Sequence, residues 1–70
     1  MITRAQAQLA RASLSPVFDP DGMEATVTLV TDSGAWAEDN SGVERTLYRF
    51  DQLEPSRDLL ALEAQIRDGR

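Results

Sequence analysis

Seventy residues carry twelve acidic and seven basic side chains, a net charge of −5, and neither cysteine nor histidine. A chain this short makes one domain and buries only about 60% of its unfolded surface, so its core is marginal and a partner is the readiest source of further burial. Disulfides and the common transition-metal sites are excluded, and without basic clusters nonspecific nucleic-acid binding is disfavoured as a main activity.

The first element is a helix over about residues 3–14. Thr3 and Gln6 have the spacing of a capping box, and the Ala- and Gln-rich run from Arg4 to Ser13 has high helix propensity. Ile2, Ala5, Leu9 and Ala12 fall on one face, a stripe of mostly small side chains that admits close approach of another helix. Ser13, Ser15 and Pro16 end it. Val17 and Phe18 read as an apolar plug, and Asp19-Pro20-Asp21-Gly22 as a turn.

A β region follows over about residues 24–50. Met23 to Thr31 alternates with Ala25, Val27, Leu29 and Thr31 on one side, and two turn signals come next, Asp32-Ser33-Gly34 and Asp39-Asn40-Ser41-Gly42. With the second as a hairpin tip, Trp36 opposes Arg45, Gly34 opposes Leu47 and Asp32 opposes Arg49. That register places Val27, Leu29, Tyr48 and Phe50 on the helix-covered face. Trp36, Arg45, Asp32 and Arg49 lie on the other face, as a cation–π contact and an ion pair. A bulge at Ser33-Gly34 would reverse these faces, and a three-stranded meander turning at both signals is the alternative to the hairpin.

Val43 to Phe50 alternates as a strand, after which the period changes. Asp51 and Glu54 have capping-box spacing, Pro55 suits a first helical turn, and a second helix is expected over about residues 54–68. Leu59, Leu62 and Ile66 form its inward seam, while Leu53, Leu60 and Ala64 fall on a second flank. Glu63 reads as an edge residue paired with Arg67 at i+4, with a buried functional carboxylate as the alternative, and Gly69 suits a left-handed C-cap. The expected fold is therefore α+β with a single core, in the order helix, β-hairpin or meander, helix.

The residue types speak against catalysis. With neither histidine, cysteine nor lysine, only carboxylates remain as bases, and Glu38 and Asp39 sit in a predicted turn without a cleft; no glycine-rich phosphate loop is present. The chain is expected not to be an enzyme and to need no cofactor, metal or small molecule. Asp19, Asp21 and Glu24 do not complete an EF-hand loop. No apolar run approaches the roughly 20 residues of a membrane span, and the N-terminus lacks a signal-peptide core, so a soluble intracellular protein without a membrane partner is expected. Seven acidic and no basic residues lie between Ser13 and Glu44, as solvated turns or as an acidic tip that steers association.

In its order of elements the chain resembles the small head-to-tail joining, or head-completion, proteins of tailed bacteriophages of the lambda W type. The residues that carry the resemblance are Thr3-Arg4 with Leu9, Ala10, Arg11, Ala12 and Leu14, then Arg45-Thr46-Leu47 leading to Asp51, Leu53, Leu59, Leu62 and Glu63. It implies a non-enzymatic neck component of the virion, assembled in the host cytoplasm. Such a component docks as a ring beneath the portal and offers a surface to the next neck or tail protein. The segment from Val17 to Gly42 is longer and more acidic than the W-type hairpin, which removes the expectation of DNA contact. Partner contacts are expected at Trp36, Arg45 and Arg49 on the sheet and at Leu60 and Ala64 on the helix. A small acidic regulator masking a basic protein surface and a capsid decoration protein are the other readings.

Overall fold

A capping box starts the chain's first helix, and a computed structural model, which describes residues 1–39, 42 and 44–69, shows both halves of it. The Gln6 amide donates to Thr3 Oγ1 at 3.0 Å and the Thr3 amide to Gln6 Oε1 at 2.9 Å, satisfying two of the donors a helix start leaves orphaned. Helix α1 runs over Arg4–Ser13 and closes on Leu14, a non-glycine residue at φ 59° whose amide donates to the Ala10 carbonyl. Its buried face is only in part the expected stripe: Leu9 packs against the core. Ala7 and Ala10 are fully buried, whereas Ala5 and Ala12 are exposed. Ile2 does reach the core, but from the extended residue ahead of the cap, where its amide donates to the Phe50 carbonyl.

Five antiparallel strands follow among the described residues: β1 (Val17–Phe18), β2 (Glu24–Val30), β3 (Gly34–Asp39), β4 (Arg45–Arg49) and β5 (Glu54–Pro55), in the spatial order β4-β3-β2-β1-β5. Helix α2 spans Arg57–Asp68. The fold is α+β, and the meander replaces the single hairpin. Val17 is fully buried in the core, as a plug would be, but it and Phe18 form a strand inside the sheet, pairing with Ala25 and Glu24 on one side and with Pro55 and Glu54 on the other. The turn before β2 is built by Asp19, whose Oδ1 accepts from the amides of Asp21 and Met23, both at 2.9 Å, with Gly22 at φ 80°. An Asx turn of this kind is why aspartate and glycine sit there.

The β3–β4 register differs from expectation by two residues. Trp36 opposes Leu47, Gly34 opposes Arg49 and Glu38 opposes Arg45; a shift of two leaves every side chain on its expected face. The bulge lies in β2, between Val27 and Leu29, rather than at Ser33-Gly34. Val27 therefore points into the core and Leu29 to the opposite face, correcting the inward placement of Leu29, while Tyr48 and Phe50 pack against the core as expected. The hairpin tip at Asn40 and Ser41 and the strand start at Val43 fall outside the described residues.

After β4 the chain makes a 3-10 turn, Phe50–Gln52, buries Leu53 completely and pairs Glu54–Pro55 with β1. The expected capping box at Asp51 and Glu54 and the helical position of Pro55 are thus replaced by a turn and an edge strand, where a missing amide costs nothing if it faces outward. Ser56 is the true N-cap: nearly buried, it accepts the Leu59 amide at 3.1 Å. Gly69 has φ −86° and not the left-handed conformation.

The core consists of Ile2, Ala7, Ala10, Val17, Ala25, Val27, Ala35, Ala37, Leu53 and Leu59. Five of these ten are alanine, so helix and sheet approach closely but bury little area per residue, and stability is correspondingly thin. Leu59 anchors α2 and Leu62 is half-buried, but Ile66, expected in the inward seam, is 59% exposed. The two helices meet where Gln6 Nε2 donates to Glu63 Oε1 at 3.1 Å, with Arg67 4.0 Å from the same carboxylate. Glu63 is the expected edge residue, held chiefly by α1 rather than by Arg67.

Candidate docking face

Both helices bring their buried residues to one side of the sheet, leaving the other side uncovered. Register fixes what that outer face presents. Leu29 lies directly opposite Trp36, and Trp36 directly opposite Leu47, so three large apolar side chains form a row across β2, β3 and β4. Directly opposed residues sit about 4.5–5.5 Å apart, close enough for side-chain contact along the row. Leu29 and Leu47 remain 51% and 49% exposed and Trp36 is half-buried. A groove of about 350 Å³ runs beside the row, lined by Thr28, Leu29, Trp36 and Arg45.

Charges flank the row on β4. Arg45 Nε donates to Glu38 Oε1 at 3.2 Å, its directly opposed residue, and Arg49 Nε donates to Asp51 Oδ1 at 3.1 Å. Both guanidiniums remain largely in water, with side chains 64% and 73% exposed. The expected ion pair of Asp32 with Arg49 is not formed; Asp32 instead faces Arg4 of α1 at 3.1 Å. Arg45 shares the groove wall with Trp36, but Glu38 rather than the indole is its bonded partner, which corrects the expected opposition of Trp36 and Arg45. Exposed pairs of this kind contribute about 0–1 kcal/mol each and can be exchanged for a partner's carboxylates at small cost.

The bulge that turns Leu29 outward is itself held. A bulge leaves ladder groups without strand partners, and here the Thr28 carbonyl accepts from Arg11 Nε of α1 at 3.0 Å while Thr28 Oγ1 donates to the Trp36 carbonyl at 3.3 Å. Leu29 and Leu47 were not among the contact residues expected from sequence, Leu29 having been placed on the helix-covered face. The adjacent pair Leu29-Val30, which breaks the alternation of β2, is the signal that marks the bulge and hence the exposed leucine.

Leu60 and Ala64 are exposed on α2, Leu60 at 45%. They lie on the helical layer and not with Trp36, so the expected contact residues divide between two separate surfaces. A third surface is acidic: Asp19, Asp21, Asp39 and Glu44 ring a depression of about 180 Å³ over Ala25 and Ala37, beside Thr46 and Tyr48. Among the described residues no group of carboxylates is arranged to hold a metal ion, and no helix is long and apolar enough to cross a membrane. Comparison with protein-family models, curated proteins and solved structures finds no match to the chain.

Proposed function

We propose that this chain is a non-enzymatic docking protein whose contact surface is the outer face of its sheet. The observation that carries this reading is the cross-strand row Leu29–Trp36–Leu47, left uncovered by both helices. A chain with a core half made of alanine gains from burying that row against a partner, and tryptophan with arginine at its edge is the composition of interface hot spots. The setting we propose is the neck of a tailed bacteriophage. There the protein docks in a ring on the portal, presents a second surface to the next neck or tail protein, and is carried in the virion after assembly in the host cytoplasm. Support for that setting comes from the sequence resemblance in α1, β4 and α2. The two separate exposed surfaces, on the sheet and on α2 at Leu60 and Ala64, fit a component with neighbours on both sides.

A second reading is favoured by the acidic depression. A small regulator that masks a basic protein surface would use Asp19, Asp21, Asp39 and Glu44 and would associate at a rate falling steeply with salt. Native mass spectrometry of the purified chain with the products of neighbouring genes separates the two. The neck reading expects ring-shaped complexes that Trp36→Ala disrupts while the protein stays folded. A one-to-one complex insensitive to Trp36→Ala but lost on neutralising Asp19 and Asp21 selects the regulator. A chain that stays monomeric beside a portal protein and is absent from virions removes the neck assignment.

A further inference from the structure

The two edges of the sheet are treated differently. At one edge, β5 has only two residues, one of them Pro55, and Glu54 is tied to the N-terminal ammonium. Short length and proline are the usual ways of preventing another strand from adding. At the other edge, β4 has five residues, no proline, and four of its five side chains exposed. Its backbone is also available. The Asp39 amide donates to the Glu44 carbonyl at 3.4 Å, which makes that couple a hydrogen-bonded pair of the ladder. By antiparallel alternation Thr46 and Tyr48 also bond to β3, while Arg45, Leu47 and Arg49 turn their N–H and C=O groups to the open edge. The Arg49 amide accordingly finds its acceptor outside the sheet, in Gln52 Oε1 at 2.9 Å. Among the described residues, the amides of Arg45 and Leu47 have no such side-chain substitute.

The same three residues put their side chains on the outer face, in the order arginine, leucine, arginine. We propose that β4 takes an extended segment of a partner protein as a sixth, antiparallel strand. That segment presents an acidic, an apolar and an acidic residue at alternate positions, opposite Arg49, Leu47 and Arg45. The apolar residue extends the Leu29–Trp36–Leu47 row by one position, and the two carboxylates take over from Glu38 and Asp51. Opposite charges directly across a ladder attract and like charges repel. This rules against a second copy of the chain as the added strand: β4 on β4 about Leu47 sets Arg45 of one copy against Arg49 of the other, twice. Main-chain bonds would supply affinity and the alternate side chains selectivity, as in other strand-addition complexes. The proposal rests on the docking reading above, and specifies the partner's chemistry.

The test uses the full chain, isotope-labelled, titrated with the capped synthetic peptide Thr-Glu-Thr-Val-Thr-Glu-Thr and followed by amide exchange. The expected result is that exchange of the Leu47 amide slows by at least about tenfold at saturation, with a change in Trp36 fluorescence. Methylating the valine nitrogen of the peptide should abolish both. Replacing its two glutamates with lysine should weaken binding by about tenfold or more, since two cross-strand pairs change sign. Equal binding of the N-methylated peptide without protection of Leu47 overturns strand addition but leaves docking on the outer face standing. Equal protection by the glutamate and lysine peptides overturns the acidic partner, as does failure of both to bind. Leu47 protection that needs no peptide and rises with protein concentration replaces the partner segment with a second copy. The docking reading fails separately, if Trp36→Ala leaves capture of the neighbouring gene products unchanged.

Discussion

Leu59 and Leu60 are adjacent on α2, point about 100° apart and differ in burial, which makes them a controlled pair for asking how the second helix is held. Leu59 is fully buried and Leu60 is 45% exposed. Truncating a buried leucine loses its transfer free energy and leaves a cavity, a combined cost of about 2–5 kcal/mol. The upper half of that range applies here, because no other α2 residue is fully buried and the adjoining Ser56 cap fixes the helix start, so the site cannot collapse inward. A domain of this length has a total stability of about 4–10 kcal/mol. Leu59→Ala should therefore remove roughly half of it and lower Tm by about 25–35 °C. Leu60→Ala removes surface that stays half in water, and should cost no more than about 1 kcal/mol. Urea unfolding followed by far-UV circular dichroism and by the fluorescence of Trp36, the chain's single tryptophan, gives both values from one titration. Equal shifts for the two variants, or a Leu59→Ala cost below about 1 kcal/mol, would refute the claim that α2 is pinned to the core through Leu59.

Three further outcomes follow from particular contacts. Ser56→Ala should cost about 1–2 kcal/mol by orphaning the Leu59 amide, whereas Asp51→Ala loses only an exposed pair with Arg49 and should stay under about 1 kcal/mol; a reversed order in thermal melts would restore the cap to Asp51. Gly34→Ala places a methyl group on the Tyr48 carbonyl oxygen across the β3–β4 ladder, and should destabilise by about 2–3 kcal/mol as the strands separate to admit it, so an unchanged Tm would contradict the register. Arg11→Met keeps the apolar stem but deletes the donor to the Thr28 carbonyl; a loss of about 0.5–1.5 kcal/mol is expected in chemical denaturation, and no loss would mean that water serves the bulge equally well.

Local chemistry was legible in the sequence, and pairing between distant segments was less so. The Thr3–Gln6 box, the Asp19 turn and the inward direction of Tyr48 and Phe50 all depend on residues within a few positions of one another. The errors arose where distant segments compete for the same residues. Asp51 and Glu54 have the spacing of a cap, but β1 offers Glu54 and Pro55 a strand partner, and Leu53 is drawn into the core, delaying the helix to Ser56. Ile66 has the helical spacing of a core residue but stays 59% exposed, and α2's side-chain hydrogen bond to α1 is made three residues earlier, at Glu63. For the candidate site, the faces of Trp36, Arg45 and Arg49 were read correctly because a two-residue shift preserves parity. Leu29 was not, because a single bulged residue reverses it.

That bulge decides what kind of surface the molecule has. With regular pairing through Thr28, Leu29 would follow Val27 into the core and add about 1.5–3 kcal/mol of burial to a domain whose interior is half alanine. The chain instead sets Leu29 beside Trp36, and the displaced Thr28 carbonyl is held by a guanidinium reaching over from α1. Stability that the fold could have taken from one more core leucine is thus transferred to the outer face, where it is recovered only when something covers the row. An isolated exposed leucine requires no explanation. Three large apolar side chains aligned by register across three strands, one of them brought there by a bulge that a helix side chain secures, are the face on which the docking proposed above rests.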